Sequence, residues 1–195
     1  MLLIFATRYD AVTNQTFLIA EMLAARAHDL GIPVMPLFEE SASAERLSDA
    51  LVQTPHVLAF YGHGNFDGQI LAQNQTPCWS DEAVPSLPNA AVYAHACRAL
   101  SWLRRHRTQH RAHTLVGYEV DLKTPPDGSD AFWRAYRDIH SFVPQELARE
   151  KNIALIRAEF QALCTVRFHE INETRCGLIE LVAILQSRDY INFVS

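Results

Sequence analysis

The chain has 195 residues, 49% hydrophobic and 20% charged, enough for one domain that buries roughly 70% of its unfolded surface. Its 17 Lys+Arg against 22 Asp+Glu leave a formal charge of -5, which argues against a protein built to neutralise nucleic-acid phosphates and favours a polypeptide or small-molecule partner. No apolar stretch approaches the ~20 residues that span a bilayer, the start Met1–Ala6 lacks a basic, secretory-length leader, and four cysteines without C-x-x-C spacing read as reduced thiols. The expectation is a cytoplasmic protein with no membrane partner.

Leu2–Ala6 is a first apolar run. Thr13 then offers an N-cap to a helix with Ile19, Met22, Leu23, Ala27 and Leu30 on its apolar face, and Gly31 ends it. A strand near Val34–Phe38 carries Pro33 and Pro36, which cannot donate ladder hydrogen bonds, so it belongs at a sheet edge. Ser43 caps a helix containing Leu47, Ala50 and Leu51, closed by Pro55. The runs Val57–Tyr61 and Ala90–His95 are too short for ordinary helices and read as strands buried on both faces. Right-handed crossovers then place the first and third strands side by side, with the second outside the first.

Between Asn65 and Asn89 the pattern breaks around Pro77, Pro85 and Pro88, leaving at most a short strand at Gln69–Ala72 and a helical turn after Ser80. Connections of that length are usually functional. A basic stretch, Arg98–His113, precedes another strand at Thr114–Tyr118. A helix with Phe132, Tyr136, Ile139 and Val143 on one face follows, and Pro144 is read as starting the next, whose stripe is Ile153, Ile156, Phe160 and Leu163. A last helix crosses Leu178, Leu181, Val182 and Leu185, weakened by Gly177 near its start. The expected architecture is one domain, residues 1–195: a three-layer α/β/α sandwich with a mostly parallel sheet of flavodoxin-like order.

Ligands of open α/β sheets bind at the carboxyl ends of the strands, where neighbours lie about 4.8 Å apart. Two consecutive strands end there in Gly62-His63-Gly64 and His95-Ala96-Cys97. A thiol nucleophile beside an imidazole base is the arrangement of a thiol-dependent hydrolase. The glycines let the backbone approach a substrate closely, and Arg98 is a cationic neighbour expected to lower the Cys97 pKa. The amides of Gly64 and Cys97 are the candidate oxyanion donors, worth about 2.7–4 kcal/mol each in comparable sites. His63, Cys78, His95 and Cys97 are also zinc ligand types, but their spacing matches no common structural zinc pattern. The arginines at 98, 104, 105, 107 and 111 lack interleaved aromatics beyond Trp102, so a solvated face is preferred over a nucleic-acid surface. No cofactor is called for.

These segments resemble the caspase-like cysteine peptidases, and within them the prokaryotic CHAT-type members related to separases and gingipains. The resemblance rests on Gly62-His63-Gly64 after an apolar strand, Leu87-Pro88 before the next strand, and Ala96-Cys97 closing it. The later Leu115–Asp121 segment and the aromatic Phe132-Trp133-Arg134-Ala135-Tyr136 extend it. It implies a His63–Cys97 catalytic dyad in an endopeptidase acting on a protein or peptide substrate. The caspase signature Q-A-C-[RQG]-G is met at Ala96-Cys97-Arg98, with His95 in place of the glutamine and Ala99 in place of the last glycine.

At the signature's glutamine position His95 is expected first as a wall of the primary specificity pocket, with a second base or a core histidine as alternatives. Arg8, Asp10, Glu119 and Asp121 are the other substrate-binding candidates. The acids outnumber Arg8, which favours cleavage after Arg or Lys. The segment holding Arg104, Arg105, Arg107 and Arg111 would then offer self-cleavage sites, but its modest length and the helical spacing of Leu100, Leu103 and Arg107 favour a packed crossover instead. Family members are often joined to sensor or repeat domains, and their lack of a counterpart here implies a separate regulatory protein. The alternative is a catalytically silent module that binds peptides or assembles with a partner.

Overall fold

The computed structural model describes residues 1–125, 127–174 and 176–195. Its centre is a six-stranded sheet of order β2-β1-β3-β4-β5-β6. The parallel strands are β1 (Leu2–Ala6), β2 (Val34–Phe38), β3 (Val57–Tyr61), β4 (Ala91–His95) and β5 (Thr114–Tyr118), and β6 (Ile191–Val194) pairs antiparallel with β5. β1, β3, β4 and β5 are buried along their whole length. Apolar residues on both sides of a strand are what a sheet covered on two faces demands. β2, with its prolines, lies at the edge as expected.

Alternation along the strands divides the core in two. Leu2, Ile4, Tyr61, Tyr93 and Tyr118 face α1 (Ala11–Asp29), α5 (Asp130–Ala148), α6 (Ile153–Asn172) and α7 (Leu178–Tyr190). Leu3, Phe5, Phe60, Val92 and Leu115 face the other way, toward α2 (Ala44–Leu51), α3 (Ala99–Arg105) and the irregular segment carrying Ile70, Cys78 and Trp79. The fold is thus the expected three-layer α/β/α sandwich. Within the irregular segment, isolated bridges join Gly64 to Ile70 and Leu71 to Pro77.

Three local expectations need correction. Asp10, not Thr13, caps α1: its carboxylate accepts the Thr13 amide, and the Thr13 hydroxyl accepts the Asp10 amide, in a reciprocal cap. Pro144 does not begin a helix but lies inside α5. A proline there leaves the carbonyl four residues earlier without its helical donor, and the Tyr61 hydroxyl donates to that His140 carbonyl at 2.8 Å. Gly177 stands before α7 as its N-cap, where its amide donates to the Glu180 carboxylate at 2.8 Å, so it does not weaken the helix. The strand β6 was not anticipated. No helix among the described residues is long and apolar enough to cross a membrane.

Candidate active site

The register fixes the site. Tyr61 of β3 pairs with His95 of β4, so His63 and Cys97, each two residues further on, leave neighbouring strands at the same level. The ladder continues past the strand ends, the Gly62 amide donating to the His95 carbonyl at 3.3 Å. Gly64 then packs directly on the Cys97 backbone: a Cβ built there would stand 2.0 Å from the Cys97 carbonyl oxygen. Gly68, at φ +86°, approaches the Arg98 carbonyl in the same way. The expected close approach at Gly64 is therefore to the cysteine's own turn. The sequence signal for the second approach, at Gly68, is the turn dipeptide Asp67-Gly68.

Cys97 is partly buried, and its sulfur accepts the Leu122 amide at 3.3 Å. Burial pushes the thiol pKa up; the Leu122 amide and Arg98 work the other way, Asp121 works with burial, and the net shift is upward. The thiolate-favouring influence expected of Arg98 is real but outweighed. Its guanidinium is committed to Asp121 through two bonds of 2.8 and 2.7 Å. Arg98 itself sits in left-handed backbone, φ 55°, a conformation costing roughly 1–2 kcal/mol for a side-chain-bearing residue. Its amide is held by the Val120 carbonyl at 3.1 Å. Strain held by surrounding bonds beside a reactive group is common at functional sites.

His63 is about one-third exposed, with Nε2 2.7 Å from Asp10 Oδ2. Partial burial works to raise the Asp10 carboxyl, but the Thr13 amide and the side chains of His63 and Thr13 outweigh it and hold it below its ordinary value. No hydrogen bond joins the His63 ring to Cys97. The two groups share one corner of the sheet, each engaged elsewhere. The Gly64 amide makes no hydrogen bond to a described residue.

The substrate-binding candidates fare differently. His95 is 1% exposed and cannot wall a pocket. It is the core alternative: Nε2 meets the Tyr136 hydroxyl at 3.0 Å, and its ring packs 4.3 Å from that of His140. Burial drives its pKa down to about 4, so it is neutral. Asp10 serves His63, not a pocket. Arg8 turns to Asn14 and Glu39, Glu119 to Arg104 at 2.6 Å and Asp121 to Arg98. With every acid already partnered, the charge count that favoured Arg or Lys loses its premise. Arg104, Arg105 and Arg107 belong to α3 and α4 (Arg107–His110), the helical crossover that the spacing of Leu100, Leu103 and Arg107 favoured over a cleavage loop.

The other thiols do not compete on geometry. Cys78 and Cys164 are buried, which lifts both pKa values to about 12, while Cys176 is partly exposed beside Gly177. The zinc alternative needs ligands that converge, but Cys78 belongs to one core face and Tyr93, on the His95 side of β4, to the other. Among the described residues no three His, Cys, Asp or Glu side chains form a metal-holding group. The Leu122 amide was invisible in the sequence, because a backbone donor carries no residue signature. From Val120 an apolar hollow of about 380 Å³ runs along Val182, Leu185 and Tyr190 of α7. A scan against protein-family models returned no match, and neither did a search of the curated proteins.

Proposed function

We propose that the chain is a cysteine endopeptidase of the caspase-like kind, working through His63 and Cys97. The observation that carries the reading is the register of Tyr61 with His95, which sets the base and the thiol at equal heights on adjacent strands. In the reaction, the Cys97 thiol gives its proton to His63 and its sulfur attacks the scissile carbonyl. The amides of Gly64 and Cys97 receive the oxyanion. His63 returns the proton to the leaving amine, the C–N bond breaks, and a thioester remains. Water, deprotonated by His63, then attacks the thioester; the C–S bond breaks, the acid is released, and the proton held by His63 returns to the Cys97 sulfur. A protein substrate, a separate regulator and a cytoplasmic setting belong to the same proposal.

A raised thiol pKa and a sulfur bonded to Leu122 favour a second reading, a silent module that binds peptides or assembles without cleaving them. Profiling a diverse peptide library, with Cys97→Ala as control, separates the two. An electrophilic peptide probe is expected to label Cys97, located by mass mapping so that the partly exposed Cys176 is distinguished. His63→Ala is expected to lower turnover by about 10²-fold or more with little change in melting temperature. Peptide binding without cleavage, or equal labelling of Cys97 in the wild type and His63→Ala, would favour the silent module.

A further inference from the structure

Asp10 is not a loose surface acid. Its Oδ1 accepts the Thr13 amide at 2.8 Å and the Thr13 hydroxyl at 2.9 Å, while its own amide donates to that hydroxyl at 2.9 Å. Its Oδ2 meets Nε2 of His63 at 2.7 Å. One oxygen thus caps α1 and the other holds the imidazole, with the Tyr9 ring packed 5.7 Å from that of His63. We propose that Asp10 is a positioning residue for His63, fixing the ring and its tautomer so that Nδ1 is left unprotonated to take the Cys97 proton. The proposal rests on the reading of His63 and Cys97 as a catalytic pair.

An ionised carboxylate offers only acceptors, so the Asp10 bond requires the imidazole proton on Nε2. A neutral imidazole has one such proton, and Nδ1 must then carry a lone pair. Among the described residues Nδ1 has no hydrogen-bond partner. When the thiol proton moves from Sγ to Nδ1, a thiolate and an imidazolium form, and the adjacent carboxylate stabilises the new positive charge. Because Asp10 is anchored through the first turn of α1, it controls the ring before the thiol leaves Leu122. The charge needed to stabilise the imidazolium is in place without any movement of α1.

Asp10→Asn is the informative variant, because it preserves the cap and inverts the tautomer. The Thr13 amide still needs an oxygen on its side, so the new amide nitrogen must face His63. The ring then accepts at Nε2 and carries its proton on Nδ1, where a lone pair is wanted. Asp10→Ser keeps a capping oxygen and removes the contact with His63. Two readouts are taken on the full chain: the imidazole ¹⁵N shifts of His63, and the rate at which chloroacetamide alkylates Cys97, mapped apart from Cys176.

The expected result is an Nε2–H tautomer in the wild type and Nδ1–H in Asp10→Asn. Cys97 alkylation should fall about 10²-fold in Asp10→Asn and less in Asp10→Ser, with melting temperatures nearly unchanged in Asp10→Asn. A wild-type Nδ1–H tautomer, or normal Cys97 reactivity that Asp10→Asn leaves unaltered, overturns the role of Asp10 alone. A wild-type Cys97 that reacts no faster than an unactivated thiol overturns the peptidase reading and this role with it.

Discussion

Gly64→Ala is expected to lower Cys97 reactivity by about 10²-fold, the cost of misplacing a reacting group by roughly 1 Å. The added Cβ would stand 2.0 Å from the Cys97 carbonyl oxygen and 3.1 Å from its carbonyl carbon. Both are backbone atoms, so no rotamer change relieves the overlap. The chain after β3 must withdraw from the turn after β4, and His63 moves away from the thiol. Overpacking of this kind costs about 1–3 kcal/mol or more, so a lowered melting temperature should accompany the loss. Gly31→Ala is the control. Gly31 has left-handed backbone, φ +69°, which Gly64 lacks, and a Cβ there meets nothing within 4 Å. It should cost stability through backbone strain alone and leave Cys97 alkylation unchanged. Wild-type alkylation rates in Gly64→Ala would refute the contact as a determinant of the site.

The second large effect is a loss of stability on mild acidification, centred on His95 and His140. Both rings lie between the sheet and α5 and are at most 1% exposed. Tyr93 and Ser187 hold the two nitrogens of His140, and His95 has, among the described residues, only the Tyr136 hydroxyl as a side-chain partner. Burial drives the pKa of His95 down to about 4, and burial together with His95 drives that of His140 well below its ordinary value. A histidine whose folded pKa lies below its unfolded value is neutral when folded, and the unfolded chain takes up the extra proton. Stability is therefore full above pH 6.5 and falls as the pH drops from 6.5 toward 4, the interval between the two His95 values. The His95 shift alone corresponds to about 3 kcal/mol over that window. His110, lowered mainly by burial, acts in the same direction.

The carboxylates held low, Asp10, Glu146 and Glu180, lose their contribution only at more acid pH, as it falls through their folded pKa values. The two windows overlap only below pH 4.5, the ordinary glutamate value, so the interval above it reports the histidines. Denaturant unfolding between pH 7.5 and 4.5 should show the histidine slope, and His95→Gln should flatten it while leaving the other histidines' share. A stability independent of pH across that interval would contradict the neutral buried rings.

What the sequence disclosed was mostly what local pattern can carry. β1, β3, β4 and β5 were readable because strands buried on both faces are unbroken apolar runs, and β2 because Pro33 and Pro36 tolerate only an edge. β6 was not, since Ile191–Val194 follows α7 with no turn residue between and owes its structure to a distant partner, β5. At the site, the coincidence of His63 and Cys97 followed from strand order and length. The partners of the charged residues did not, because Asp10, Arg98 and Arg104 choose among acceptors that only tertiary structure brings near. His95 illustrates the same limit: its side of the strand was legible, but burial beneath α5 depends on Tyr136 and His140, more than 40 positions away.

Pro144 and Tyr61 have a bearing on how the chain can diverge. The hydroxyl at the end of β3 supplies the His140 carbonyl with the donor that the imino acid in α5 withholds. Neither residue is neutral to change while the other stays: losing the hydroxyl orphans a buried acceptor, and restoring a helical N–H makes that hydroxyl redundant. Drift at one position therefore relaxes selection at the other, and the two should alter together across descendants. Such a linked substitution would travel with the strand that delivers His63, giving a record of ancestry written outside the chemistry itself.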